Sequence, residues 1–142
     1  MRLYCVDGTN LVRVLWGYAP GFDEQEESDS ATLVESFAEL CRRQPDRVEV
    51  EVFFDGPSRP WPRPIRLPSN LRVSFSWDVS SDELILDRVR ARAFGAEGGV
   101  SVVTGDGELG RRAKEEGGQW LSIHRAASLD VLLASIEKRF SR

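Results

Sequence analysis

The sequence predicts an α/β protein built on a mainly parallel, five-stranded sheet flanked by helices. Short runs rich in Val, Leu and Phe alternate along the chain with segments whose apolar residues recur at helical spacing. The first, second and fourth runs lead directly into Asp-Gly or Gly-Asp-Gly steps, at Asp7-Gly8, Asp55-Gly56 and Gly105-Asp106-Gly107. Strands of a parallel sheet deliver such steps to one rim, where open sheets of this kind bind ligands.

Each element has its own justification. Residues 3–6 form a buried first strand that carries Asp7, Gly8, Thr9 and Asn10 to its end. A helix over 10–17 follows, with Leu11, Val12, Leu15 and Trp16 on its apolar face and Gly17 and Pro20-Gly21 closing it. The acidic run 23–29 reads as a solvated loop leading into an amphipathic helix over 31–43. In that helix Leu33, Val34, Phe37, Leu40 and Cys41 share a stripe, and Thr32 and Glu35 have capping-box spacing. Residues 48–54 alternate Val and Phe against Glu49 and Glu51, as expected of a strand with one partly solvated face. Prolines 57, 60, 62, 64 and 68 then exclude a regular helix and predict an extended loop carrying Arg59, Trp61, Arg63 and Arg66.

The third strand spans 71–77, with Trp77 in step with Leu71, Val73 and Phe75. Ser80 and Glu83 have capping-box spacing at the head of a helix reaching about Gly95. The β-branched run 100–104 is the fourth strand, followed by a short basic helix with Arg111, Arg112 and Lys114 that ends at Gly117-Gly118. A fifth strand over 119–123 and a last helix over 128–140 complete one domain spanning 1–142, with neither an internal repeat nor an interdomain linker.

Composition narrows the function classes. With 41% hydrophobic and 30% charged residues, the chain has the make-up of an ordinary globular domain. A net charge of −4 gives no global field for a polyanion, so a nucleic-acid site has to be a local patch. Cys5 and Cys41 lack metal-ligand spacing and read as reduced core thiols of a cytoplasmic protein. Arg2 is followed by too short an apolar run for a signal peptide, and no stretch approaches the ~20 apolar residues of a membrane span.

Asp7, Asp55, Asp82 and Asp106 are all expected at the same rim. Taken singly, each has an ordinary reading: a turn for Asp55 and Asp106, and a helix-dipole carboxylate for Asp82. Together they would repel one another unless a cation neutralised them, and Mg²⁺ or Mn²⁺ is the usual partner of clustered oxygen ligands. His124 and the two cysteines make no credible zinc set. A carboxylate-held divalent ion suits phosphoryl chemistry. Arginines beside a tryptophan in the proline-rich loop either grip phosphates and stack a base or form a rigid, solvated connector.

Four segments, Val6-Asp7-Gly8-Thr9-Asn10-Leu11, Val52-Phe53-Phe54-Asp55-Gly56, Ser81-Asp82-Glu83-Leu84-Ile85 and Val102-Val103-Thr104-Gly105-Asp106-Gly107-Glu108-Leu109, resemble the NYN branch of the PIN-like nucleases, especially the YacP-like bacterial endoribonucleases. The resemblance extends from Leu3 to about Ile123. It implies a three-layer PIN-like (Rossmannoid) fold with the first strand central, and cleavage of single-stranded RNA by a water activated by Mg²⁺ or Mn²⁺. Carried over by motif, Asp7, Asn10, Asp82 and Asp106 are the catalytic residues, and Asp7, Asp82 and Asp106 hold metal with Glu83 and Glu108 beside them. Thr9, Arg13, Arg59, Trp61, Arg63, Arg111 and Arg112 are the RNA-contacting candidates. A ribosome or protein partner, and a monomer or homodimer, are compatible with this reading.

The chain departs from the pattern at Gly107 and at Gly110, where many relatives carry a larger residue and an acid or polar group respectively. That departure and the acidic balance keep a second reading open, a catalytically weak or inactive module that binds RNA or protein. Asp7-Gly8-Thr9 and Gly105-Asp106-Gly107 also resemble haloacid dehalogenase-type phosphatases. That chemistry needs a nucleophilic aspartate two positions before Asp7, where Cys5 stands.

Overall fold

The computed structural model describes residues 1–17, 23–95, 98–126 and 128–138. In chain order its elements are β1 (Arg2–Asp7), α1 (Gly8–Trp16), α2 (Asp23–Arg43), β2 (Val48–Asp55), β3 (Leu71–Ser76), α3 (Ser81–Phe94), β4 (Val100–Thr104), α4 (Gly107–Glu115), β5 (Gln119–Ser122), α5 (Ile123–Ala126) and α6 (Leu129–Lys138). The strands form one sheet in the order β3-β2-β1-β4-β5, and every pairing is parallel. β1 is central and buried on both sides, which explains why Leu3, Tyr4, Cys5 and Val6 form an unbroken apolar run. The chain leaves β1 for one side of the sheet and later returns to its other side as β4. The loops after β1 and β4 therefore flank the point where strand order reverses.

Two cores cover the two faces. Phe37, Leu40, Phe54, Val103 and Ile136 belong to the larger core, to which α1, α2 and α6 contribute, while Cys5, Phe53, Ile85, Leu86, Val89 and Leu109 pack on the other face under α3 and α4. Helix, sheet and helix thus make three layers, as expected. Gly17 closes α1 in the left-handed region (φ 68°), with its N–H donating to Arg13 O. Ser80 caps α3 by accepting from the Glu83 N–H.

Several expectations need correction. The acidic run is helical, because α2 begins at Asp23, well before residue 31. Its carboxylates have partners on neighbouring elements: Glu26 pairs with Arg13, Glu27 with Arg59 and Glu35 with Arg63. Thr32 accordingly lies inside the helix, where its hydroxyl donates to Ser28 O and forms no cap. Glu51 is buried at 3% exposure, held by the Arg88 guanidinium and the Ser74 hydroxyl. The third strand stops at Ser76 and leaves Trp77 72% exposed. β5 ends at Ser122, and the short helix α5 takes up Ile123. Pro20, Gly21 and Phe140 lie outside the described residues.

Cys5 and Cys41 are buried free thiols, as expected of core residues. Burial pushes the Cys41 thiol up to about 12, and the Cys5 thiol higher still.

Candidate functional site

β1, β2, β4 and the head of α3 bring Asp7, Asp55, Asp106 and Asp82 to one rim. Asp7 is the innermost, 4% exposed at the end of the central strand. Burial raises its carboxyl to about 7. The Thr104 hydroxyl opposes the rise by donating to Oδ2 at 2.8 Å, while the charges of Asp82, Asp55 and Asp106 add to it. Asp82 is raised in the same way, first by desolvation and then by Asp106 and Asp55, with Arg112 acting in the opposite direction. The four acids therefore sense one another across a single site.

Thr104 organises the inner part of this site, a role its place in the motif did not reveal. Its hydroxyl donates to Asp7 and accepts from the Asp106 N–H at 3.0 Å. Asn10 Oδ1 receives the Gly105 N–H at 2.7 Å, tying the β4 loop to the first turn of α1. Asp106 Oδ1 caps α4 by accepting from the N–H groups of Glu108 and Leu109, at 2.9 and 3.2 Å. Oδ2 is left outside this cap. Asp55 is fixed by the hydroxyl and N–H of Ser81 and by the Ser76 hydroxyl, while its own N–H donates to Thr9 Oγ1 at 2.9 Å.

Glycines allow these loops to meet. A Cβ at Gly8 would fall 2.7 Å from the Phe54 ring and 2.8 Å from Phe53 O. One at Gly105 would fall 2.9 Å from His124 Nε2 and 3.1 Å from Asn10 Oδ1, so the exposed His124 borders the site from α5. At Gly110 a Cβ would lie 2.2 Å from the Trp120 indole. Trp120 in turn donates its Nε1–H to Thr104 O at 3.1 Å. The space a side chain would need at position 110 is filled by this indole, which buttresses the Thr104 loop.

The remaining candidates fall into different settings. Glu83 is exposed and pairs with Arg112 at 3.2 Å, and Glu108 is exposed at the head of α4. Thr9 is buried and committed to Asp55. Arg13, Arg59 and Arg63 are engaged by α2 carboxylates. Arg59 also lies over the Phe75 ring, and Trp61 is half-buried against Phe54 and Phe75. Arg111 is exposed, and its guanidinium lies 3.3 Å from where a Gly107 side chain would begin, at the N-terminus of α4. Among the described residues, no group of three or more His, Cys, Asp and Glu side chains converges into a ready-made metal cage. A cleft of about 360 Å³, lined by Glu49, Glu51, Arg72, Arg88 and Arg92, does not include the four acids.

A central parallel strand, acids on the rim where strand order reverses, and helices on both faces define a three-layer α/β domain of the PIN-like type. The structure of Rae1 (YacP) from Bacillus subtilis, determined as a W164L mutant, has the same fold: the two match with a TM-score of 0.71 at 20% sequence identity, over 98% of this chain and 79% of that one. No family model matches the sequence, and neither does any curated protein. No helix among the described residues is long and apolar enough to cross a membrane.

Proposed function

We propose that this protein is a metal-dependent endoribonuclease that hydrolyses single-stranded RNA with Mg²⁺ or Mn²⁺ held at the Asp7, Asp82 and Asp106 rim. The observation that carries this reading is Asp7, a buried carboxyl at the end of the central strand with three further aspartates at the same rim. Such a cluster is costly for a fold to maintain and is relieved by a hard cation. A hydrated Mg²⁺ uses one or two carboxylates and keeps several waters, so a spread set of acids fits it without a closed cage. The Rae1-like fold and the NYN-type motifs support the same reading.

When bound, the cation supplies a polarised water and neutralises charge on the phosphodiester. The protein's own groups do the positioning. Thr104 orients the inner oxygen of Asp7. Asn10, with Oδ1 committed to Gly105, presents its amide NH₂ as a donor toward a phosphate oxygen. Asp106 keeps one oxygen on the α4 cap and directs the other to the site. Glu83 and Glu108 lie outside this inner set and serve as outer carboxylates. Arg111, beside the helix N-terminus, holds a flanking phosphate.

The test is cleavage of labelled single-stranded RNA with Mn²⁺, with chelator, and with Asp106→Asn. Asparagine preserves the cap, so folding is retained while activity is expected to fall by at least about 100-fold. Equal cleavage by both proteins, or cleavage that survives chelation, would sink the assignment. The Trp120 indole occupying the place of a side chain at Gly110 favours the second reading, a binding module without catalysis. RNA binding with no cleavage under any metal would establish it.

A further inference from the structure

Resting on the nuclease reading, we propose that Trp77 is a stacking platform for one unpaired RNA base next to the phosphate held at the acid cluster. Sequence alternation would align Trp77 with the apolar residues of β3, yet β3 ends at Ser76 and the indole stands 72% exposed, with Val79 beside it at 51%. The segment 77–80 is short, and the residues bounding it are both fastened to the same carboxylate. The Ser76 hydroxyl and the hydroxyl and N–H of Ser81 all donate to Asp55 Oδ1. The Gly56 N–H donates to Ser76 O at 3.0 Å and fixes the base of the loop further.

Asp55 is also one of the charges that raise Asp7 and Asp82, so the loop is anchored within the electrostatic reach of the site. An aromatic face on a loop anchored through Asp55 to the acid rim is how sequence-tolerant single-strand binders take a base. Trp61, in the proline-rich loop, is packed against Phe54 and Phe75. Asp78 within the loop is exposed and repels a phosphate, so the loop receives a base and not the backbone.

The 142-residue chain carrying Asp106→Asn, which spares the substrate, is titrated with a fluorescein-labelled uridine 12-mer and with the same oligomer bearing abasic positions. Trp77→Ala and Trp77→Phe are compared in that background, with circular dichroism reporting folding. Trp77→Ala is expected to bind the 12-mer about ten-fold more weakly and Trp77→Phe within about three-fold of the parent, since a phenyl ring still stacks. The abasic oligomer is expected to bind both variants alike. Unchanged affinity in Trp77→Ala, while Arg111→Ala weakens binding, overturns the platform and leaves the RNA reading standing. Equal loss in Trp77→Ala and Trp77→Phe, or unfolding of both, makes the residue structural and also overturns it. No RNA binding by the parent protein, with or without Mn²⁺, removes the nuclease reading itself and the platform with it.

Discussion

Asp7 is a cost to folding at the residue the proposed function depends on most. Burial raises its carboxyl to about 7 against 3.8 ordinarily, so the native state holds this proton more tightly than the unfolded chain does. In metal-free solution, stability from this group therefore falls as pH rises from about 4 to 7, and above 7 the full penalty remains. Asp7→Asn keeps an acceptor for Thr104 and removes the charge. The variant is expected to melt higher than the parent at pH 8, by an amount bounded by roughly 4 kcal/mol, with the difference vanishing near pH 4. Thermal melts across that range in chelator are the check, and a parent protein equally stable from pH 4 to 8 would contradict the placement. Adding Mn²⁺ at pH 8 should stabilise the parent and leave Asp7→Asn almost unmoved.

At the scale of elements, Gly110 and Trp120 join α4 to β5. A methyl group at Gly110 would overlap the indole at 2.2 Å from its nearest atom, with main chain on both sides fixed in elements. Gly110→Ala is expected to cost about 1–3 kcal/mol, read as a lower denaturant midpoint, and Trp120→Ala in the same chain should recover part of that cost. Introducing an acid by Gly110→Asp should likewise destabilise and should not raise activity. α3 and β2 are joined differently. Glu51 is buried at the interface and Arg88 is its counter-ion at 2.9 Å. Removing Arg88 strands a buried carboxylate, so Arg88→Ala is expected to cost roughly 3 kcal/mol, whereas Arg88→Ala with Glu51→Gln should cost less. Urea denaturation of the single and double variants measures the coupling.

For the whole molecule, charge bears on how the proposed RNA substrate would be held. The net charge is −4, and Arg13, Arg59 and Arg63 are engaged by α2 carboxylates. With those three arginines neutralised, RNA binding is expected to release few counterions. The logarithm of RNA affinity is therefore expected to fall with the logarithm of salt with a slope no steeper than about −2, and Arg111→Ala should reduce that slope by about 0.7. Binding isotherms from 50 to 300 mM salt (a range on the order of a few-fold) test this, and a slope near −5 would require a basic surface elsewhere.

The sequence by itself determined the alternation of strands and helices, the buried first strand, the apolar stripes and the acids at strand ends, because each is written in local periodicity and in the chemistry of turns. Val100–Thr104 and the Ser80 cap are read at their observed positions for this reason. Only the tertiary structure decided which polar groups are used up by other parts of the chain. Glu27 and Glu35 look solvated until Arg59 and Arg63 arrive from 28 or more positions away, and Glu51 looks exposed until α3 covers it. Trp61 and Trp77 exchange their expected settings for the same reason, since an aromatic residue is buried or bare according to what packs across from it. Thr104, which ties Asp7 to Asp106, sits 97 positions from the acid it orients, a distance over which no local pattern carries information.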